Sequence, residues 1–196
     1  LNTINFPSIR KNNYKIIHIS NFGNRLFNRL YFISIAKKIS NALIRLGHDV
    51  LNISDRDTIR FNRNISAKSG IDYLNKLFVE TVRNYSPDLI VLGHSDNLKV
   101  ESLEKIKNLK KDIKIIQWFE DNLHNSGPDP ILNQKRLLKY DDFIDHNFIT
   151  THPSALKFIK NKKKYSYLPI PVDKNVEKLN VYQNNQTIYD LFFTMS

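Results

Sequence analysis

Short apolar runs alternate with longer amphipathic ones along this chain. Lys15 to Ser20 (KIIHIS) reads as a first strand, and the polar stretch Asn21 to Arg29 follows with Gly23 inside it. Phe32, Ile35, Ala36, Ile39, Ala42, Leu43 and Leu46 then recur at helical spacing. Gly47 stands where a helix wants a left-handed residue past its end. Asp49 to Ser54 is a second strand, and Ile71, Leu74, Phe78 and Val82 mark a second helix to about Tyr85. Ser86-Pro87-Asp88 breaks that helix. The continuous apolar run Leu89 to Gly93 predicts a strand buried on both faces.

Val100, Leu103, Ile106 and Leu109 predict a third helix, and Lys114 to Phe119 a fourth strand. A polar loop from Glu120 to Pro130 leads to a helix around Ile131 to Tyr140. Asn147 to Thr150 is a fifth strand. Pro153 opens a helix to about Lys160, and Tyr165 to Leu168 is a short sixth strand. Strands alternating with helices predict right-handed βαβ crossovers. The fold class is therefore α/β: a Rossmann-like, doubly wound parallel sheet with helices on both faces.

The chain divides into a polar lead-in (1–14), this domain (15–173), a linker (174–188) and a strand that has just begun (189–196). Pro169-Ile170-Pro171-Val172-Asp173 stiffens the exit, and Lys174 to Thr187 is polar and aperiodic. The chain starts at Leu1 and ends on YDLFFTMS, so a fragment of a longer protein is expected.

Composition narrows the chemistry. With no cysteine among 196 residues, disulfides, thiolate catalysis and cysteine metal sites are excluded. No apolar run approaches a membrane span and the N-terminus has no signal-peptide core, so a cytoplasmic location is expected. The net charge of +11 invites a nucleic-acid reading. The heavy use of Asn, Lys and Ile points instead to compositional drift, so no specific nucleic acid is expected. A basic surface also suits an anionic sugar nucleotide or peripheral contact with a membrane.

The five glycines assemble neither a dinucleotide fingerprint nor a P-loop, and there is no nucleophile elbow. In an open parallel sheet, ligands bind beyond the carboxyl ends of the strands. Asn21, Phe22, Gly23 and Asn24 after the first strand could turn backbone amides toward an anion, or form an ordinary turn. Gly93 allows close backbone approach, and His94 beside it could carry a proton or cap the next helix. The loop after the fourth strand gathers Glu120, Asp121 and His124. Asp121 and His124, three apart, could share a hydrogen bond and handle a hydroxyl proton; the alternative is a solvated Asx-rich turn. The spacing of Glu120, Asp121, His124 and Asp129 matches no standard metal motif, so no metal is expected.

The segments DLIVLGHSD, IIQWFEDN, NFITTHPSALKFIK and YLPIPVD are similar to the CgeB-like, spore-maturation-type glycosyltransferases. The order of features resembles the N-terminal half of a GT-B enzyme running into its C-terminal half. The resemblance implies a transferase moving a sugar from a nucleotide-sugar co-substrate to a glycan, lipid or protein acceptor, with no further cofactor. It places Asn21 to Asn24 beside the donor phosphates, and His94 and the Asp121 to His124 loop on the acceptor side. The donor would be held mainly by a second domain, so this chain alone is expected to be inactive. The competing reading is a stand-alone flavodoxin-like or receiver-like binding module. Against a receiver, Ser20 and Asn21 stand where paired acids would follow the first strand.

Overall fold

A computed structural model describes residues 13–24, 34–64 and 66–177. Six parallel strands form one sheet: β1 (Lys15–Ser20), β2 (Asp49–Ser54), β3 (Leu89–Leu92), β4 (Lys114–Phe119), β5 (His146–Ile149) and β6 (Tyr165–Tyr167). Their spatial order is β2-β1-β3-β4-β5-β6. The chain steps outward from β1 to β2, then returns past β1 to β3. The order therefore reverses between β1 and β3, where a doubly wound sheet opens its ligand crevice.

The connections are α1 (Ile35–Arg45), α2 (Asp55–Asn62), α3 (Ala67–Tyr85), α4 (Val100–Leu109) and α5 (Pro130–Leu138). Side chains alternate across each strand, which settles the two layers. Ile17, Ile19, Ile90, Leu92 and Ile115 face Leu74, Phe78, Leu103 and Ile106 of α3 and α4, all buried. Each such side chain contributes about 1.5–3 kcal/mol on leaving water. Phe119, Ile149 and Tyr165 extend the same face and meet Leu137 of α5 with Leu156 and Ile159. α1 lies on the opposite face, where its Ser40 bonds His18 of β1 and Asn52 of β2.

The six strands predicted between Lys15 and Leu168 all form, the strand expected over 189–196 lies outside the described residues, and three segments depart from or add to expectation. The segment after β2, where the sequence pattern predicts no element, is a helix. It holds few apolar residues, but Asp55 and Asp57 occupy its first turn, where carboxylates suit the helix dipole. Gly70 lets α3 cross it closely: a Cβ there would overlap the Ile59 carbonyl.

The helix expected over Pro153 to Lys160 is only a 3-10 turn, Pro153–Ala155. Leu156 turns extended, at φ −102° and ψ 103°. Both Leu156 and Ile159 then sink into the cluster around Leu137. Burial outweighs local propensity here.

Lys174 to Glu177, the start of the expected linker, fold back on α1. The buried Asp173 carboxylate accepts from Asn175 N, Asn41 Nδ2 and Arg45 Nη1, and Lys38 pairs with Glu177. Asp173 caps a turn in which Val176 N and Glu177 N both reach its carbonyl. Phe32, the lead-in through Asn12 and the chain from residue 178 lie outside the described residues. Among the described residues no helix is long and apolar enough to cross a membrane.

Candidate functional site

The carboxyl ends of β1, β3 and β4 converge through Gly93. Its N–H bonds Ile19 O, and a Cβ on it would overlap the Ser20 side chain. Only glycine lets the end of β3 lie this close to β1. Ser20 Oγ in turn accepts the His94 amide at 3.1 Å. The loop behind is braced from α3 and from the residue chain after α5. Asn75 Oδ1 accepts Lys99 N and Ser102 Oγ, and Tyr140 OH lies 2.8 Å from Leu98 O and 3.1 Å from Ser95 O.

So held, His94 meets Glu120, the first residue after β4, at 2.8 Å between Nε2 and Oε1. Asp121 Oδ2 is 3.9 Å from the same nitrogen. Arg136 of α5 closes the cluster. Its Nε and Nη2 clamp Asp96 in two bonds of 3.1 and 2.9 Å, and Nη1 donates to Asp121. The guanidinium also lies over the Phe119 ring, 5.4 Å from its centroid. Arg56 approaches Asp96 to 3.8 Å from the other side. Three carboxylates thus face three cationic groups across a part-buried rim.

Two demands compete at His94 Nδ1. Arg136 Nη2, 2.9 Å away, can only donate, which suits an unprotonated nitrogen. Asp96, then Glu120 and Asp121, favour the imidazolium. The carboxylates prevail against burial, because the guanidinium is itself neutralised by Asp96 and Asp121, and the His94 pKa is raised to about 9. Burial pulls Asp96 upward, yet its bonds to His94 and Arg136 win and hold it at about 2. Near neutral pH the site therefore presents charged His94 with no free lone pair. Glu120 and Asp121 supply the carboxylate oxygens that face its Nε2.

Asp121 and His124 are not partners. Asp121 turns to Arg136 and His94, whereas His124 faces outward in a turn where Ser126 Oγ and N lie 2.6 and 3.3 Å from its Nδ1. The tight-turn reading of that pair fails because Asn122 Oδ1 takes the His124 amide and reverses the chain between them. Nor do His124 and Asp129 join the acids in a metal cluster; among the described residues no group of three or more His, Asp or Glu is arranged to hold a metal ion.

The turn Asn21 to Asn24 folds inward as well. Phe22 N donates to Ser54 Oγ at 3.2 Å and Asn24 N to Asp57 Oδ2 at 2.8 Å, with Ser54 Oγ bonded to Asp57. A buried carboxylate already holds the amide expected to greet an anion, and the Phe22 ring is buried against His18. Gly23, at φ +68°, makes the inward turn possible. Asn21 alone of the four stands with His94 and Glu120. The three line a cavity of about 190 Å³ under the first turn of α1.

Sequence reasoning missed Arg136 and the role of Asp96. Arg136 sits in the last turn of α5, where a basic residue reads as an ordinary complement to the helix dipole, and only packing of α5 beside β4 brings it to the strand ends.

No family model matches the chain, and no curated protein matches it. Solved structures to which it is similar include an alpha-glucosyltransferase in complex with UDP and a 13-mer DNA containing a central A:G mismatch. There the TM-score is 0.47 at 13% identity, over 83% of this chain and 41% of that one. A second is alpha-glucosyltransferase (AGT) in complex with UDP, with TM-score 0.47 at 12% identity over 82% of this chain and 45% of that one. A third is alpha-glucosyltransferase with UDP-glucose and DNA containing an abasic site, at TM-score 0.45, 13% identity, 82% and 41%. The chain spans less than half the length of these proteins. The likeness is one of fold, and the α/β assignment stands on the six-stranded sheet itself. Nothing in it bears on the CgeB-like family. The likeness does not test the expectation of no specific nucleic-acid partner.

Proposed function

We propose that this domain is the acceptor side of a GT-B-type glycosyltransferase, of the kind its CgeB-like segments resemble. It would move a sugar from a nucleotide-sugar donor to a hydroxyl, with the nucleotide held largely by a partner domain and without a metal. The observation that carries the reading is the His94–Glu120–Asp121 constellation at the ends of β3 and β4, beside the β1/β3 reversal, with an open cavity next to it.

Glu120 is the base in this reading. It takes the acceptor hydroxyl proton as the oxygen bonds the anomeric carbon, and the bond from that carbon to the terminal phosphate oxygen breaks with its electron pair leaving on the nucleotide. Charged His94 orients Glu120 through the 2.8 Å bond, and Arg136 keeps Asp121 and Asp96 from collapsing onto the imidazole. A similar alpha-glucosyltransferase is solved in complex with UDP-glucose, which is the first donor to try here.

The test is acceptor-dependent UDP release from UDP-glucose by the full-length protein. The expected result is measurable release, cut at least about a hundredfold by Glu120→Gln. Release that is unchanged in both Glu120→Gln and Asp121→Asn would sink the proposal.

A further inference from the structure

The connection from β5 to β6 concentrates charge of one sign. The 27 residues from His146 to Val172 hold five lysines, no arginine and no acidic residue. Lys164 turns to Asp141. The other four, Lys157, Lys160, Lys162 and Lys163, are exposed and stand in no ion pair among the described residues. Packing sets their direction. Leu156 and Ile159 are drawn into the cluster around Leu137, which leaves Lys157 and Lys160 beside them on the outside. Apolar side chains share this side of the domain. Lys162 Nζ reaches the Ser154 carbonyl at 3.4 Å, Ser154 Oγ lies 2.7 Å from His152 Nδ1, and the His152 and Tyr167 rings meet at 6.1 Å between centroids. Tyr167 is 52% exposed and Leu168 after it 41%. β6 is the outermost described strand on this side, so the strip runs along an edge of the sheet.

We infer that the β5–β6 edge docks on an anionic lipid surface, with the four lysines over the headgroups and Tyr167 and Leu168 at the boundary with the acyl chains. A lysine ammonium is a point charge on a flexible stem and asks no fixed geometry of its partner. Each lysine beside a negatively charged leaflet favours the bound state by on the order of fivefold, and four act together. Tyrosine suits the lipid–water interface, where its ring is covered while its hydroxyl stays wet. A nucleic acid fits less well: Leu168 has no face on which a base could stack, and no arginine in the segment can fork onto a phosphate. The inference goes beyond the transfer reading and does not depend on it.

The test is sedimentation of the chain with vesicles of phosphatidylcholine alone and of phosphatidylcholine mixed with phosphatidylglycerol. The expected result is binding to the mixed vesicles at least about tenfold tighter than to phosphatidylcholine, weakening as salt rises. Lys157→Gln, Lys160→Gln, Lys162→Gln and Lys163→Gln together should reduce that binding at least about tenfold and leave the thermal midpoint in place. A control carrying Lys68→Gln, Lys76→Gln, Lys105→Gln and Lys111→Gln loses the same charge from exposed positions elsewhere and should keep most of the binding. Tyr167→Ser should weaken the part of the binding that survives high salt. No preference for the mixed vesicles, unchanged binding in the first variant, or equal loss in the two four-lysine variants would each overturn the inference. An oligonucleotide that displaces the chain from the mixed vesicles at equal phosphate concentration, and that the first variant no longer binds, would assign the strip to nucleic acid and overturn it as well.

Discussion

His94 Nε2 stands 2.8 Å from Glu120 Oε1, joining the loop after β3 to the loop after β4 beside the reversal between β1 and β3. In the transfer reading, Glu120 touches the reacting hydroxyl and His94 acts through it. Glu120→Gln should lower kcat at least about a hundredfold, and His94→Gln about tenfold to a hundredfold. His124→Ala should leave turnover within about twofold, since its ring is committed to Ser126 in an exposed turn. Equal losses from His124→Ala and Glu120→Gln, measured as initial rates, would reverse this assignment.

Two histidines should shape the pH dependence of stability in opposite directions. His94 is raised to about 9 in the fold against an ordinary 6.5, so its contribution is complete below 6.5 and is lost as pH rises toward 9. Its loss amounts to on the order of 2 kcal/mol, at about 1.4 kcal/mol per unit with some screening at the rim. Burial lowers His18 to about 3, so the unfolded chain binds its proton first and stability falls as pH drops from 6.5 toward 3. Urea titrations across pH 5 to 9.5 should show His94→Gln flattening the basic limb alone. An unchanged basic limb would show that the imidazole is neutral in the fold.

Arg136 restrains His94 from the Nδ1 side. Arg136→Gln removes that restraint and frees Asp96 and Asp121 to face the ring. In NMR titration of the His94 ring, the midpoint should move upward by about half a unit or more. A downward shift would mean that the arginine's role is to hold the carboxylates in place.

Gly93 and Gly70 should respond differently to alanine. At Gly70 the added Cβ meets the Ile59 backbone, which cannot yield without moving α2, so stability should fall by about 1–3 kcal/mol with no specific effect on the site. At Gly93 it meets the Ser20 side chain, which also holds the His94 amide. Gly93→Ala should therefore disturb turnover more than its effect on the thermal midpoint would explain. Matching losses at both positions would place Gly93 in the packing alone.

Asp173 latches the chain exit to α1. Its carboxyl is held below the ordinary range first by the Asn175 amide, then by Arg45 and Asn41. Asp173→Asn should speed hydrogen exchange at the amides of Asn175, Val176 and Glu177 and lower the thermal midpoint. Unchanged exchange there would mean that Lys38 and Glu177 hold the segment without it.

The alternation of apolar strands with amphipathic helices was legible because burial imposes its own period. Leu74, Phe78 and Val82 must share one side of a helix, and Leu89 to Leu92 must be apolar throughout between two layers. That determined the six strands, four of the five helices and the sheet edge on which a site would form. Gly93, His94, Glu120 and Asp121 could be named because they follow strands directly. What no local pattern contains is distance between segments. The strand order, the clamp of Arg136 on Asp96 and the turning of His124 away from Asp121 depend on which helix packs beside which strand. The inward folding of Asn21 to Asn24 was decided likewise, by Asp57, which reaches their amides only once β2 lies beside β1. Charge and hydrogen-bond partners are properties of neighbours in space, and tertiary packing alone supplies them.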